Sequence, residues 1–313
     1  RKGSAGSAPC NEVHMLKRVV TAVCILAVLF GCIFGLRSIY FQLADILVLL
    51  MFLGVYEMYH AFRLAGLRPI PSALILGCIA CFPLTYFLMA DGVMITLAVT
   101  VMAALIVFTL KHNLGEAKES AEGEESAVKG YGLTDLFATV FIAIYPMSLF
   151  MLFLPVNHSD AGLLGIMLII AVPVMADTMA YFTGMAIGGK KLCPQISPKK
   201  TVAGAVGGVL GGMIGALIVF FLFDFSGAMA VFPNAGATEL IKGNLYGSLG
   251  LYLALGFVGG ILGELGDLCA SWIKRKAGIK DFGKLFPGHG GIMDRLDSIL
   301  FMLPLVYLVL IFV

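Results

Sequence analysis

Charge is what this sequence has least of. Only 13% of its 313 residues are Asp, Glu, Lys or Arg, while 60% are hydrophobic. An ordinary soluble domain carries about 25% charged residues, so a water-soluble globular chain is excluded by composition. The net charge of +2 likewise argues against a nucleic-acid partner. A cysteine framework is missing too. The seven cysteines include one CxxC spacing, Cys78 and Cys81, but it lies inside an apolar run with no second pair. These two read as small apolar side chains. No Ser/His/Asp or Cys/His arrangement with a clear logic for nucleophilic catalysis is visible.

In place of charge stand long apolar runs. They cover 19–36, 42–62, 72–90, 93–110, 133–154, 161–187, 204–223, 246–270 and 296–313. Each is about long enough to cross a ~30 Å hydrocarbon core, and in lipid such runs are satisfied only as helices. The sequence therefore predicts an all-α polytopic membrane protein of about nine transmembrane helices. Residues 1–14 read as a vector remnant before Met15. Leu29-Phe-Gly-Cys32 loosely matches a lipoprotein cleavage box, but Phe30 fits it poorly and eight more runs follow, so the first span reads as uncleaved.

The few charges are unevenly placed. With the N-terminus in the cytosol, every Lys and Arg falls in a cytosolic segment except Arg37 and Lys242. That asymmetry is the positive-inside pattern, and adding or losing one span would scramble it. It predicts a cytosolic N-terminus and a C-terminus outside. The acidic segment 113–130 (NLGEAKESAEGEESAVKG) reads as a solvated cytosolic linker. It divides four N-terminal helices (15–112) from a C-terminal catalytic domain of five (131–313). Glu57 and His60, near the end of the second run, read as interfacial residues.

Glycine in the second half is periodic. Gly204, Gly208 and Gly212 repeat every four residues, as do Gly207, Gly211 and Gly215, and then Gly256 with Gly260 and Gly259 with Gly263. Small residues at this spacing let helices approach closely in lipid, so 204–223 and 246–270 are expected to touch.

Three polar clusters fall on the predicted cytosolic face. The first is Asp177 with Tyr181, a carboxylate inside an apolar run and hence suspect as functional. The second is the loop from Gly188 to Thr201, whose Ser197, Lys199, Lys200 and Thr201 precede a helix N-terminus suited to anions. The third is Glu264, Asp267 and the stretch Ser271–Asp297. That stretch mixes Lys274, Arg275, Lys280 and Arg295 with Asp281, Asp294 and Asp297, and its Pro and Gly residues permit tight turns. Asp294 and Asp297 are three apart and share one helix face, as do Glu264 and Asp267. Carboxylates gathered at a membrane border repel one another, and Mg²⁺ would relieve that while keeping positions for phosphate oxygens. Neighbouring lysines and arginines would meet the remaining phosphate charge.

The elements S-x-x-K-R, K-D, P-G-H-G-G and D-R-x-D within Ser271–Asp297 closely resemble the signature of the phosphatidate cytidylyltransferase family. D-T-x-A-Y from Asp177, I-S-P-K-K-T ending at Thr201 and Gly266-Asp-Leu268 fit it as well, and the likeness covers roughly 165–313. It implies a Mg²⁺-dependent integral membrane enzyme, homodimeric, making CDP-diacylglycerol and pyrophosphate from CTP and phosphatidic acid. A second cation is left open. By this resemblance Asp267, Asp294 and Asp297 hold the metal, and with Lys274 and Arg275 they form the catalytic set. Substrate would meet Asp177, Tyr181, Ser197, Lys199, Lys200, Thr201, Ser271, Lys280, Asp281, His289, Gly290, Gly291 and Arg295. A bacterial inner membrane and a cytoplasm-facing site are implied. Two positions depart from the family pattern: Ala203 stands where an acidic or amide residue is common, and Ala270 where Glu is common.

Two other classes compete. A secondary transporter would place carboxylates near the midplane between repeated halves, and no repeat is visible. A CDP-alcohol phosphotransferase shares the D-x-x-D element but needs an upstream D-x-x-D-G-x-x-A-R block, which is absent.

Overall fold

The computed structural model describes residues 48–122, 130–231, 239–285 and 290–312, with Val23, Ala27, Gly31 and Asp45 as isolated positions. The 1–14 segment and, apart from those isolated positions, the 19–36 run lie outside the described residues. Helices follow in the order α1 (Leu50–Leu64), α2 (Pro71–Glu122), α3 (Leu133–Asn157), α4 (Gly162–Ile187), α5 (Val202–Phe220), α6 (Leu245–Lys276) and α7 (Met293–Phe312). Among the described residues six of them, α2 to α7, are long and apolar enough to cross a membrane. This is an integral membrane protein.

Helix α2 is not one rod. Its path breaks at Met89 (φ 51, ψ −125). A methyl group placed on Gly92 would fall 2.6 Å from the Cα of Thr85, and one on Gly77 would fall 3.1 Å from the Thr100 methyl. In a continuous helix residues 77 and 100 would stand roughly 34 Å apart at ~1.5 Å per residue. The chain therefore reverses at Met89, and the runs 72–90 and 93–110 form an antiparallel helical hairpin. Every expected run from 42–62 onward holds helix.

The structure departs from the sequence reading in three places. Helix α2 continues to Glu122, into the expected linker, because Glu116, Ala117, Lys118 and Glu119 are good helix formers; residues 123–129 lie outside the described residues. The fold is also not purely helical. Strands β1 (Lys191–Cys193) and β2 (Ser197–Thr201) pair antiparallel between α4 and α5, with Lys191 opposite Thr201 and Cys193 opposite Ser197. Finally, Glu57 is not interfacial but buried, for a reason given below.

Helix α5 organises the C-terminal helices by having almost no side chains on two faces. One face meets α4: a methyl on Gly204 would fall 2.9 Å from the Ala180 carbonyl, and one on Gly215 2.5 Å from that of Ala171. The other face meets α6, where Gly212 lies backbone to backbone with Gly256 and Gly260. Lipid offers helices no hydrophobic drive to associate, so dispersion at such close approach, ~0.1–0.2 kcal/mol per atom pair, is what holds them. On its far side α6 meets α7, with Gly259 against Met302 and Gly266 against the Asp297 carbonyl.

Local signals set the helix ends that matter. Thr201 caps α5, its Oγ1 accepting the Gly204 N–H at 3.0 Å. Lys274, Arg275 and Lys276 crowd the last turn of α6, where the helix dipole favours cations. Gly278 (φ 68) then turns the chain out, with the Ile279 N–H returning to the Lys274 carbonyl at 3.0 Å. Beyond that stop, the strip of residues 279–285 and 290–292 lies against α1 and the start of α7.

Candidate active site

Lys200 is the hub of the polar cluster. It leaves the end of β2 and places its Nζ 2.5 Å from Glu264 Oε2 and 2.9 Å from Asp267 Oδ2, both on α6. Burial pulls the ammonium's pKa down, but the attraction of Asp267 and Glu264 outweighs it and leaves Lys200 above the ordinary lysine value. Ser271, one turn beyond Asp267, donates to Asp267 Oδ1 at 3.4 Å. Asp297 is buried on α7 in the field of Asp267, Lys274 and Asp177. Asp177 itself is exposed, yet feels Asp267, Lys200, Glu264 and Arg295, so it borders an opening shared with them. The structure thus brings Asp177, Lys200, Asp267, Ser271, Lys274, Asp294, Arg295 and Asp297 to one end of α4, α6 and α7.

Asp294 stands differently. Its Oδ1 pairs with Lys274 Nζ at 2.8 Å, and its Oδ2 accepts the Phe282 N–H at 2.8 Å and the Gly291 N–H at 2.9 Å. Its carboxylate is spent on bracing the strip. Gly290 (φ 86) makes the turn beside it, where a methyl would fall 2.6 Å from Asp294 Oδ2.

The remaining expected residues spread outward. Arg275 is exposed and donates from Nε to the Ile196 carbonyl at 3.1 Å, tying α6 to the β-hairpin. Lys199 is exposed, Ser197 half-buried, and Thr201 is occupied as the α5 cap. Tyr181 is 65% exposed with its ring edge-on to Phe182. Lys280 and Asp281 line a different cavity of 610 Å³, walled on its other side by Leu53, Tyr56 and His60 of α1; neither Asp267, Asp297 nor Lys200 reaches it. His289 lies outside the described residues. Ala203 is half-buried and Ala270 fully buried.

Sequence reasoning missed two contributors. One is Glu57, whose carboxylate accepts the Ile292 N–H at 3.1 Å and the Met293 N–H at 3.0 Å. The other is Tyr145 of α3, whose buried hydroxyl has no hydrogen-bond partner among the described residues and lies in the field of Asp297, Asp267 and Asp294.

Whether these groups suit a divalent cation turns on unsatisfied oxygens. Glu264 Oε1, Ser298 Oγ and the Tyr145 hydroxyl are all buried without a hydrogen-bond partner among the described residues, beside Asp267 and Asp297. Hard oxygen donors of this kind fit Mg²⁺. As they stand, no three His, Cys, Asp or Glu side chains among the described residues gather closely enough to chelate an ion. Lys200 pairs with Glu264 and Asp267, and Lys274 with Asp294.

Comparison with known proteins identifies the family of the chain. A model of the cytidylyltransferase family matches residues 16–313. A phosphatidate cytidylyltransferase of Brucella abortus biovar 1 (strain 9-941) is 35% identical over 147 residues, 47% of each chain. Those of Staphylococcus haemolyticus (strain JCSC1435) and Staphylococcus aureus (strain COL) are 39% and 37% identical over 137 residues, 44% of this chain and 45% of theirs. The matched stretch thus spans about half the length of these curated relatives.

Proposed function

The chain belongs to the cytidylyltransferase family, and on that premise we propose that it transfers the cytidylyl group of CTP to phosphatidic acid, giving CDP-diacylglycerol and pyrophosphate. The observation that carries this is Lys200, held between Glu264 and Asp267 beside the buried Asp297 and the exposed Asp177. A site of mixed charge at the end of apolar helices suits a lipid phosphate meeting a nucleotide at the bilayer border.

The phosphate of phosphatidic acid is the nucleophile. Already anionic, it requires no general base. One of its oxygens bonds to the α-phosphorus of CTP in line, and the bond from that phosphorus to the leaving pyrophosphate breaks. Lys200 and Lys274 release their carboxylates to meet phosphate oxygens, and Arg275 and Arg295 add positive charge at the rim. Asp267 and Asp297 would hold Mg²⁺, with Asp294 joining only if it gives up Lys274; the bound ion neutralises phosphate charge. A second cation would draw on the same oxygens. Tyr181, Ser197, Lys199, Lys280 and Asp281 are assigned to the periphery of the substrates.

The same reading puts the N-terminus and the site on the cytoplasmic side of a bacterial inner membrane, nine spans in all, and a homodimer in the bilayer. The charge pattern of the loops supports the orientation. Incubating the purified protein with CTP, phosphatidic acid and Mg²⁺ tests the activity: stoichiometric pyrophosphate and CDP-diacylglycerol are expected. Absence of both with folded protein would overturn the proposal.

A further inference from the structure

Helix α7 begins without a cap of its own. The residues ahead of it are Gly290, Gly291 and Ile292, none of which has a side chain able to accept its first free N–H groups. Asp294, the nearest carboxylate, is already committed to Lys274, Phe282 and Gly291. The acceptor comes from far away in the chain. Glu57, in the middle of α1 and only 7% exposed, reaches across so that each of its two oxygens takes one of the successive amides of Ile292 and Met293.

The fit is close. A Cβ on Gly283 or Gly291 would collide with the Glu57 carboxylate, so both glycines are bare where it lies. Two carboxylates therefore grip the same strip: Asp294 from within, through Phe282 and Gly291, and Glu57 from α1, through Ile292 and Met293. Asp297 sits one turn further along α7. Its position relative to Asp267 is set by where α7 starts, and α7 starts where Glu57 holds it.

We propose that Glu57 is a positioning residue for the transfer reaction, fixing the start of α7 and through it Asp294 and Asp297 against α6. This rests on the activity proposed above. Charge and reach both matter. Gln at this position keeps one acceptor oxygen but turns an NH₂ group toward an N–H donor, and Asp keeps the charge but is one methylene short.

The test compares Glu57→Gln, Glu57→Asp and Glu57→Ala with the wild type in lipid nanodiscs. Folded fraction is read by size exclusion and thermal melting. Rates are expressed per folded molecule, and amide hydrogen exchange is followed at residues 290–296. Misplacement of reacting groups by about 1 Å costs on the order of 100-fold. Glu57→Gln and Glu57→Ala are expected to lose about 10- to 100-fold in kcat with KM for phosphatidic acid within about twofold of wild type, and Glu57→Asp to recover part of the loss. Exchange at 292–293 should rise in Gln and Ala while α4–α5 stays protected. If kcat per folded molecule is unchanged, the residue is merely structural and the proposal is overturned. Unchanged exchange at 292–293 overturns it equally. Should the wild type itself make no CDP-diacylglycerol, the functional reading fails, and the exchange readout still decides whether Glu57 holds α7.

Discussion

The two sides of the polar face use the same side chains for opposite purposes. On the α5–α6 side, carboxylates face a lysine and one another: Glu264 and Asp267 share Lys200, Asp297 is near, and Glu264 Oε1 has no hydrogen-bond partner among the described residues. On the α1–α7 side, carboxylates face the backbone: Glu57 and Asp294 take four amide N–H groups from the strip 282–293. The first arrangement leaves charge to be rearranged by a ligand. The second spends it on holding a loop. An acidic residue in a lipid-embedded site is thus read by what it already satisfies, not by its distance from other acids.

Substitutions that treat the sides unequally sharpen the contrast. The largest effect is expected from Lys200→Met. Its two carboxylates would be left without their cation, and removing one member of a buried pair costs about 3–5 kcal/mol. The variant should melt far below wild type in nanodiscs, and an unchanged melting temperature would show that Lys200 is not the hub. Next come Asp267→Asn and Asp297→Asn. Each should keep its fold yet lose about 10²–10³-fold in kcat, equivalent to roughly 3–4 kcal/mol of barrier. Wild-type rates for both would remove these carboxylates from the proposed metal site. Lys274→Met should cost less stability than Lys200→Met, about 1–3 kcal/mol, because Asp294 keeps the Phe282 and Gly291 amides. A larger loss than for Lys200→Met would reverse the comparison.

The smallest effect is a pH dependence that should be flat. The pKa of Lys200 is raised in the folded protein, so its ion pairs stabilise fully below the unfolded lysine value near 10.5 and are lost only as pH rises through the higher folded value. The melting difference between wild type and Lys200→Met should therefore be constant from about pH 6 to 9. A difference that shrinks within that window would mean that Lys200 loses its proton there.

Most of the helices were legible because lipid demands them: the runs 133–154, 161–187 and 246–270 became α3, α4 and α6 with ends moved by a few residues. The contact of α5 with α6 followed from glycine spacing. Its contact with α4 uses the same glycine repeats, with Gly204, Gly207, Gly211 and Gly215 all against α4, but spacing alone does not say which helix a glycine face meets. The strand pair was illegible, because Lys-Leu-Cys and Ser-Pro-Lys-Lys-Thr show no apolar alternation. Glu57 was illegible for another reason. Its partners are main-chain amides 235 and 236 residues away, and backbone donors leave no mark in a sequence. Asp294 was named from the sequence as a metal ligand, while its use as a brace depends on the Phe282 and Gly291 amides that it accepts in the fold.

The glycine-lined faces of α5 have a consequence for motion. Packed helices usually slide past one another by switching rotamers, and an interface made of backbone against backbone has none to switch. Close packing of α4, α5 and α6 through these glycines is expected to keep Asp177, Glu264 and Asp267 at fixed separations. The amides of Phe282, Gly291, Ile292 and Met293 are held otherwise, each by a single hydrogen bond to the side chain of Asp294 or Glu57.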